Sequence, residues 1–125
     1  MTRLCRLLVL GVLACGFATS AYATNYFCTG TINRLSTGSN GAVWIDIGYG
    51  VTSVCDLDDP LNGIKIETCA AWYGTFLAAI TTGAQIEMAF STNHAPNASM
   101  TGCANLGVPG GTWLNRQPYD LRIRP

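Results

Sequence analysis

The chain has 125 residues, seven Lys or Arg against seven Asp or Glu, a formal net charge of zero and 49% apolar residues. That length holds a single domain. So few basic residues exclude the cationic surface that nucleic acid or an anionic membrane face requires.

The chain opens "MTRLCRLLVLGVLACGFATSAYA". Arg3 and Arg6 give a positive start, an apolar run follows, and Ala21-Tyr22-Ala23 supplies the small residues of a peptidase site. This is the pattern of a secretory signal peptide over residues 1–23, with one domain over 24–125. Leu13-Ala14-Cys15 also loosely resembles a lipoprotein box that would make Cys15 the lipidated first residue. Leu13 and the continuing apolar run argue against that processing. Two of the seven basic residues leave with the leader and all seven acidic residues stay, so the exported part carries a formal charge of −2. No later run is apolar and long enough to span a bilayer, so the exported part is not integral to a membrane.

Four cysteines remain after the leader: Cys28, Cys55, Cys69 and Cys103. An even number in a small exported domain predicts two disulfides rather than a zinc site, whose ligands come as close pairs. Three connectivities are open to them. No metal or cofactor is expected.

"NYFCTGTINRLST" is rich in β-branched and aromatic residues and reads as a first strand, ended by the turn residues of "GSNGA". "AVWIDIGYG" is a second strand, with Val43, Ile45 and Ile47 on one side and Trp44, Asp46 and Gly48 on the other. "VTSVCDL" is a third. "DLDDPLNG" is a loop. Its Asp56, Asp58 and Asp59 resemble the start of a calcium loop, but Pro60 stands in a ligand position and no closing Glu follows. Turn chemistry, with Asp side chains bonding nearby N–H groups, is the better reading.

A helix is predicted from Ile66, with Glu67 in its first turn, to Thr82, with Gly83 placed to take a left-handed cap. Cys69, Trp72, Tyr73, Phe76, Leu77 and Ile80 recur at helical spacing and form its expected inner face. The opposite face, Ala70, Ala71, Gly74, Thr75, Ala78 and Ala79, is small and uncharged. Three arrangements suit such a face: packing against a second copy, cover by the later loop, or plain exposure, since Ala is a good helix former in water.

"AQIEMAFS" is a fourth strand with Ile86, Met88 and Phe90 inward and Glu87 outward. A long Gly-, Pro- and Asn-rich stretch follows, which at that length is either functional or anchored. Cys103 in its middle suggests an anchor. "YDLRIRP" closes the chain as a fifth strand. The order β-β-β-α-β-β is that of the OB-fold, a five-stranded Greek-key barrel, here mainly β with one helix and two disulfides. In such a barrel the first strand pairs antiparallel with the fourth. Cys28 then lies near the segment that carries Cys103, which leaves Cys55 for Cys69. The barrel therefore predicts Cys28–Cys103 and Cys55–Cys69.

"FCTGTI", "SVCDL", "ETCAAWYGTFLAAITTGAQIEMAF", a later Cys and "YDLRIRP" together resemble a group of small secreted proteins of Gram-negative bacteria. The helix-to-strand segment is similar to that of the B subunits of subtilase-type A–B toxins. The resemblance covers most of the exported chain in element order, and is specific in residues only from Cys69 through the helix into the fourth strand. It implies an OB-fold, a ring of like subunits and binding of sialylated glycans. In such a ring the helices stand beside their neighbours, which would set Ala71, Gly74, Thr75 and Ala78 against another copy. No sugar-binding residue of those subunits matches a position here.

The residues themselves point to binding rather than catalysis. There is one histidine, His94, in a polar loop. Ser91, His94 and Asp120 have no triad spacing, and no G-x-S-x-G element is present. "GGTWLNRQPY" gathers Trp113, Asn115, Arg116, Gln117 and Tyr119. A sugar site needs an aromatic face for its C–H side and planar polar groups for its hydroxyls, and this stretch offers both, with Trp44 and Tyr49 as further aromatics. The alternative is that Trp113 closes the barrel mouth, and that Arg116 pairs Asp120 rather than a ligand carboxylate. "NAS" at Asn97 matches a glycosylation acceptor, and in a bacterial protein it reads as a loop tripeptide. The expected function is an exported, non-catalytic and oligomeric module for a glycan or a partner protein. The alternative is an envelope structural protein, tethered through Cys15, with no small ligand.

Overall fold

The computed structural model of the chain describes residues 22–107 and 114–125. Cys15, all of the expected leader except Tyr22 and Ala23, and Trp113 lie outside the described residues. The chain is mainly β with one helix: β1 (Asn25–Thr31), β2 (Arg34–Thr37), β3 (Ala42–Asp46), β4 (Thr52–Asp56), α1 (Ile66–Thr82), β5 (Gln85–Ser91), β6 (Leu114–Asn115) and β7 (Pro118–Arg124). No helix among the described residues is long and apolar enough to cross a membrane.

In place of the expected five strands of a closed barrel, the described residues form seven strands in two open sheets, β1-β5-β7 and β2-β3-β4-β6. The expected first strand breaks at Ile32–Asn33. Cys28 and Gly30 face inward in β1, whereas Leu35 packs on the core in β2, so the inward parity switches between them. A period of two allows no such switch without an interruption. Gly30 marks the crossing point, because a Cβ there would stand 1.9 Å from the Ile47 carbonyl oxygen. The expected fifth strand is present as β7, which pairs antiparallel with β5, and a further short strand that the sequence did not mark, β6, runs parallel to β4.

Both expected disulfides are present, Cys28–Cys103 and Cys55–Cys69, with Cα separations of 5.4 and 5.6 Å. They suit an oxidising compartment outside the cytoplasm. The core that they brace holds Val43, Ile45, Val54, Phe76, Ile86, Met88, Phe90 and Leu106. Each of its larger side chains contributes about 1.5–3 kcal/mol by leaving water.

α1 has the expected bounds, and Gly83 closes it at φ 69°, its N–H reaching back to the Ala79 and Ile80 carbonyls. Its rotation differs from expectation. Cys69, Phe76 and Ala79 are buried and Trp72 and Tyr73 half-buried, while Leu77 and Ile80 stay 46% and 47% exposed. The Cys55–Cys69 bond pins the helix to β4. Ala79, expected outside, packs inward in place of the larger side chains. Ala71, Gly74 and Ala78 are exposed, and Thr75 is half-buried with its hydroxyl donating to the Ala71 carbonyl at 3.1 Å. A Cβ at Gly74 would meet nothing within 4 Å, so the described part of the long loop does not cover this point.

That loop is anchored from within. Arg116 is 2% exposed. It donates to the carbonyls of Leu106, Pro96 and Asn105 at 3.2, 2.7 and 2.9 Å and to Ser99 Oγ at 3.2 Å. Asn97, read above as a loop tripeptide, is fully buried. Its Nδ2 donates to the Ser91 and Gln117 carbonyls at 3.1 and 2.7 Å, and its Oδ1 accepts the Gln117 N–H at 2.9 Å. Asp56 plays the expected turn role, its Oδ1 accepting the N–H groups of Asp58 and Asp59.

Candidate functional site

Strand parity sets the outer face of the second sheet. Leu35 and Ile45 are partners that pack on the core, so the flanking pairs Arg34–Asp46 and Ser36–Trp44 face the other way. The second pair extends into a row, since Trp44 is also opposite Ser53, and Ser53 is opposite Asn115. Ser53 is 2% exposed and its hydroxyl has no hydrogen-bond partner among the described residues. An orphaned buried hydroxyl is uncommon in a folded protein.

At the Arg34–Asp46 end of this face lies an open cleft of about 620 Å3. Three segments build it. The corner between β1 and β2 supplies Asn33 and Arg34, the β3–β4 turn supplies Asp46 and residues 48–51, and the loop after β5 supplies Ala104. Each wall is held. The Asn33 N–H donates to the Asp46 carbonyl at 2.8 Å. Asp46 Oδ1 accepts the N–H groups of Gly48 and Gly50 at 2.8 and 3.2 Å. Gly48 and Gly50 have φ of 104° and 89°, a region that side chains disfavour, and so the turn can curl back onto the carboxylate. The Tyr49 hydroxyl donates to the Thr29 carbonyl at 3.3 Å, and the Gly107 N–H donates to the Tyr49 carbonyl at 3.2 Å. Ala104 is tied down by its neighbour Cys103 through the disulfide to β1.

The electrostatics of the cleft are unusual for adjacent strands. The ion pairs among the described residues are Arg122–Asp120 and Arg124–Glu87. Arg34 and Asp46 stand opposite one another without forming a third, and among the described residues the Arg34 guanidinium has no hydrogen-bond partner. The cleft therefore presents a free cation, a carboxylate held by one oxygen, the Asn33 side chain and the half-buried Tyr49.

The structure separates the residues that the sequence grouped. Asn115 is exposed, at the far end of the Ser36–Trp44–Ser53 row. Arg116 is sequestered, and burial lowers its pKa; its bonds run to the loop and not to Asp120. Asp120 instead accepts from Arg122 Nε at 2.7 Å, which raises the Arg122 pKa. The Gln117 backbone is bound to Asn97, and Tyr119, 45% exposed, belongs to the other sheet. Trp113 is outside the described residues. His94 lies in a turn, its N–H donating to the Ser91 carbonyl at 3.1 Å. The sequence reading missed Asn33, Arg34 and Asp46. The signal for two of them was the "GSNGA" turn, because folding a hairpin about it sets Arg34 opposite Asp46.

No family model matches this chain, and no curated protein or solved structure matches it either.

Proposed function

We propose that this chain is an exported, non-catalytic binding module that recognises a glycan through the outer face of the β2-β3-β4-β6 sheet. The observation that carries the reading is the cleft, where Arg34, Asn33 and Asp46 stand beside Tyr49 in an open recess of oligosaccharide scale. Polar groups that fix orientation beside an aromatic wall are what a sugar site requires. The Trp44 row continues the same face. In this reading the two sheets are one interrupted OB-type barrel. β1 passes into β2 across two residues and β6 into β7 across another two, so each pair acts as a single bent strand shared between sheets. In that architecture the face of the second and third strands, here β3 and β4, is where oligosaccharides bind. The reading also assigns the exposed stripe of Ala71, Gly74 and Ala78, with Leu77 and Ile80 beside it, to self-association.

The test is a glycan array probed with protein purified, disulfides intact, from the periplasm of a bacterial host. A subset of glycans is expected to bind, more weakly with Asn115→Ala and unchanged with Tyr119→Ala, which lies on the other sheet. A blank array overturns the reading.

A further inference from the structure

We propose, resting on that glycan reading, that the cleft holds the vicinal diol of a neutral hexose between Arg34 and Asp46. Two features of the fold carry this. Arg34 and Asp46 are in register on adjacent strands, which sets their Cβ atoms about 4.5–5.5 Å apart, yet they form no ion pair. Asp46 is also aimed in advance, with Oδ1 taken by the Gly48 and Gly50 N–H groups and Oδ2 left for a partner.

A ligand bridging the two groups must accept hydrogen bonds from a guanidinium and donate one to a carboxylate. Each sugar hydroxyl carries one donor and two acceptor lone pairs. Two adjacent hydroxyls can therefore accept from Arg34 while one donates to Asp46. Both bonds are charge-assisted, which makes them the stronger kind. A carboxylate or phosphate ligand suits Arg34 alone and meets Asp46 as a like charge in the same recess. A cationic ligand has the converse fault. The neutral diol leaves the attraction between Arg34 and Asp46 in place and satisfies both. Asn33 is beside Arg34 as an additional donor and acceptor. Tyr49 and Ala104, the latter fixed by the Cys28–Cys103 bond, form the wall for the ring's C–H face.

The experiment is an amide-shift NMR titration of the periplasmically expressed protein with methyl mannoside, methyl galactoside and N-acetylneuraminic acid in turn. A neutral hexoside is expected to move the amides of Asn33, Arg34, Asp46 and Tyr49. Arg34→Gln, a side chain that holds nothing in the fold, is expected to weaken binding by about tenfold or more. Asp46→Asn, which keeps an acceptor for the two glycine amides, is expected to do the same. Binding of N-acetylneuraminic acid at the cleft with the hexosides inert would overturn the diol and leave the glycan reading standing. Hexoside shifts outside the cleft, or affinity unchanged in Arg34→Gln, would overturn it in the same limited way. No shift with any of the sugars, together with a blank array, would remove the glycan reading itself.

Discussion

Arg116 and Arg34 show the two uses to which this fold puts a guanidinium. Arg116 is inside, giving its hydrogen bonds to three carbonyls and a hydroxyl of the loop between β5 and β6. Arg34 is exposed at the cleft and gives none among the described residues. The region around Arg116 is thus closed to ligands by its own satisfaction, whereas the region around Arg34 holds donors that the fold leaves free. Arg122 and Arg124 fall between, exposed but paired with carboxylates on the outer side of the β1-β5-β7 sheet. A glycan site built on the sequence motif around Arg116 would have to dismantle the loop, while one at Arg34 disturbs nothing.

The largest expected effect sharpens this contrast. Arg116→Met leaves several partly buried carbonyls without donors and releases the loop, for an expected loss of about 3 kcal/mol in urea unfolding at neutral pH. A loss below about 0.5 kcal/mol, the scale of ordinary surface changes, would break the comparison, since Arg116 would then be dispensable to the fold. The next effect concerns the paired class. Arg124 donates to Glu87 Oε2 at 2.6 Å, and this hydrogen bond is the main reason the Glu87 pKa lies below 4.5. A carboxyl with a depressed folded pKa contributes its stability above the unfolded value and loses it as pH falls through the folded one. Glu87→Gln is therefore expected to be less stable than the wild type at pH 7, with the two unfolding curves converging as the pH falls through the carboxylate range. A difference that persists in acid would mean that packing, not charge, is responsible. The smallest effect is the most informative for function. Arg34→Gln is expected to shift stability by less than about 0.5 kcal/mol. A larger loss would show that Arg34 serves the fold after all.

The helix was legible because its signals are local. Apolar recurrence within a few positions, Glu67 at the start and Gly83 at the end all act over a turn or two. The disulfide pairing was legible one step further, through the antiparallel pairing of the strand carrying Cys28 with β5. The rotation of α1 was not. Leu77 fits the helical stripe as well as Phe76 does, and only the bond from Cys69 to β4 decides which of them is buried. Asn97 and Arg116 read as polar loop residues and turn out to be the loop's interior.

What the sequence determined by itself is a β-rich chain with a helix at residues 66–82 and an even set of cysteines suited to pairing. Those properties depend on composition and on spacing within a few residues. Tertiary structure alone decided that the first expected strand breaks, that Arg116 is enclosed while Arg34 is exposed, and that Asn33, Arg34, Asp46 and Ala104 share one cleft. The last of these come from segments up to 71 residues apart in a chain of 125. The physical reason is that burial and strand register are set by the free energy of the whole packed core, in which a residue's surroundings come mainly from distant parts of the chain.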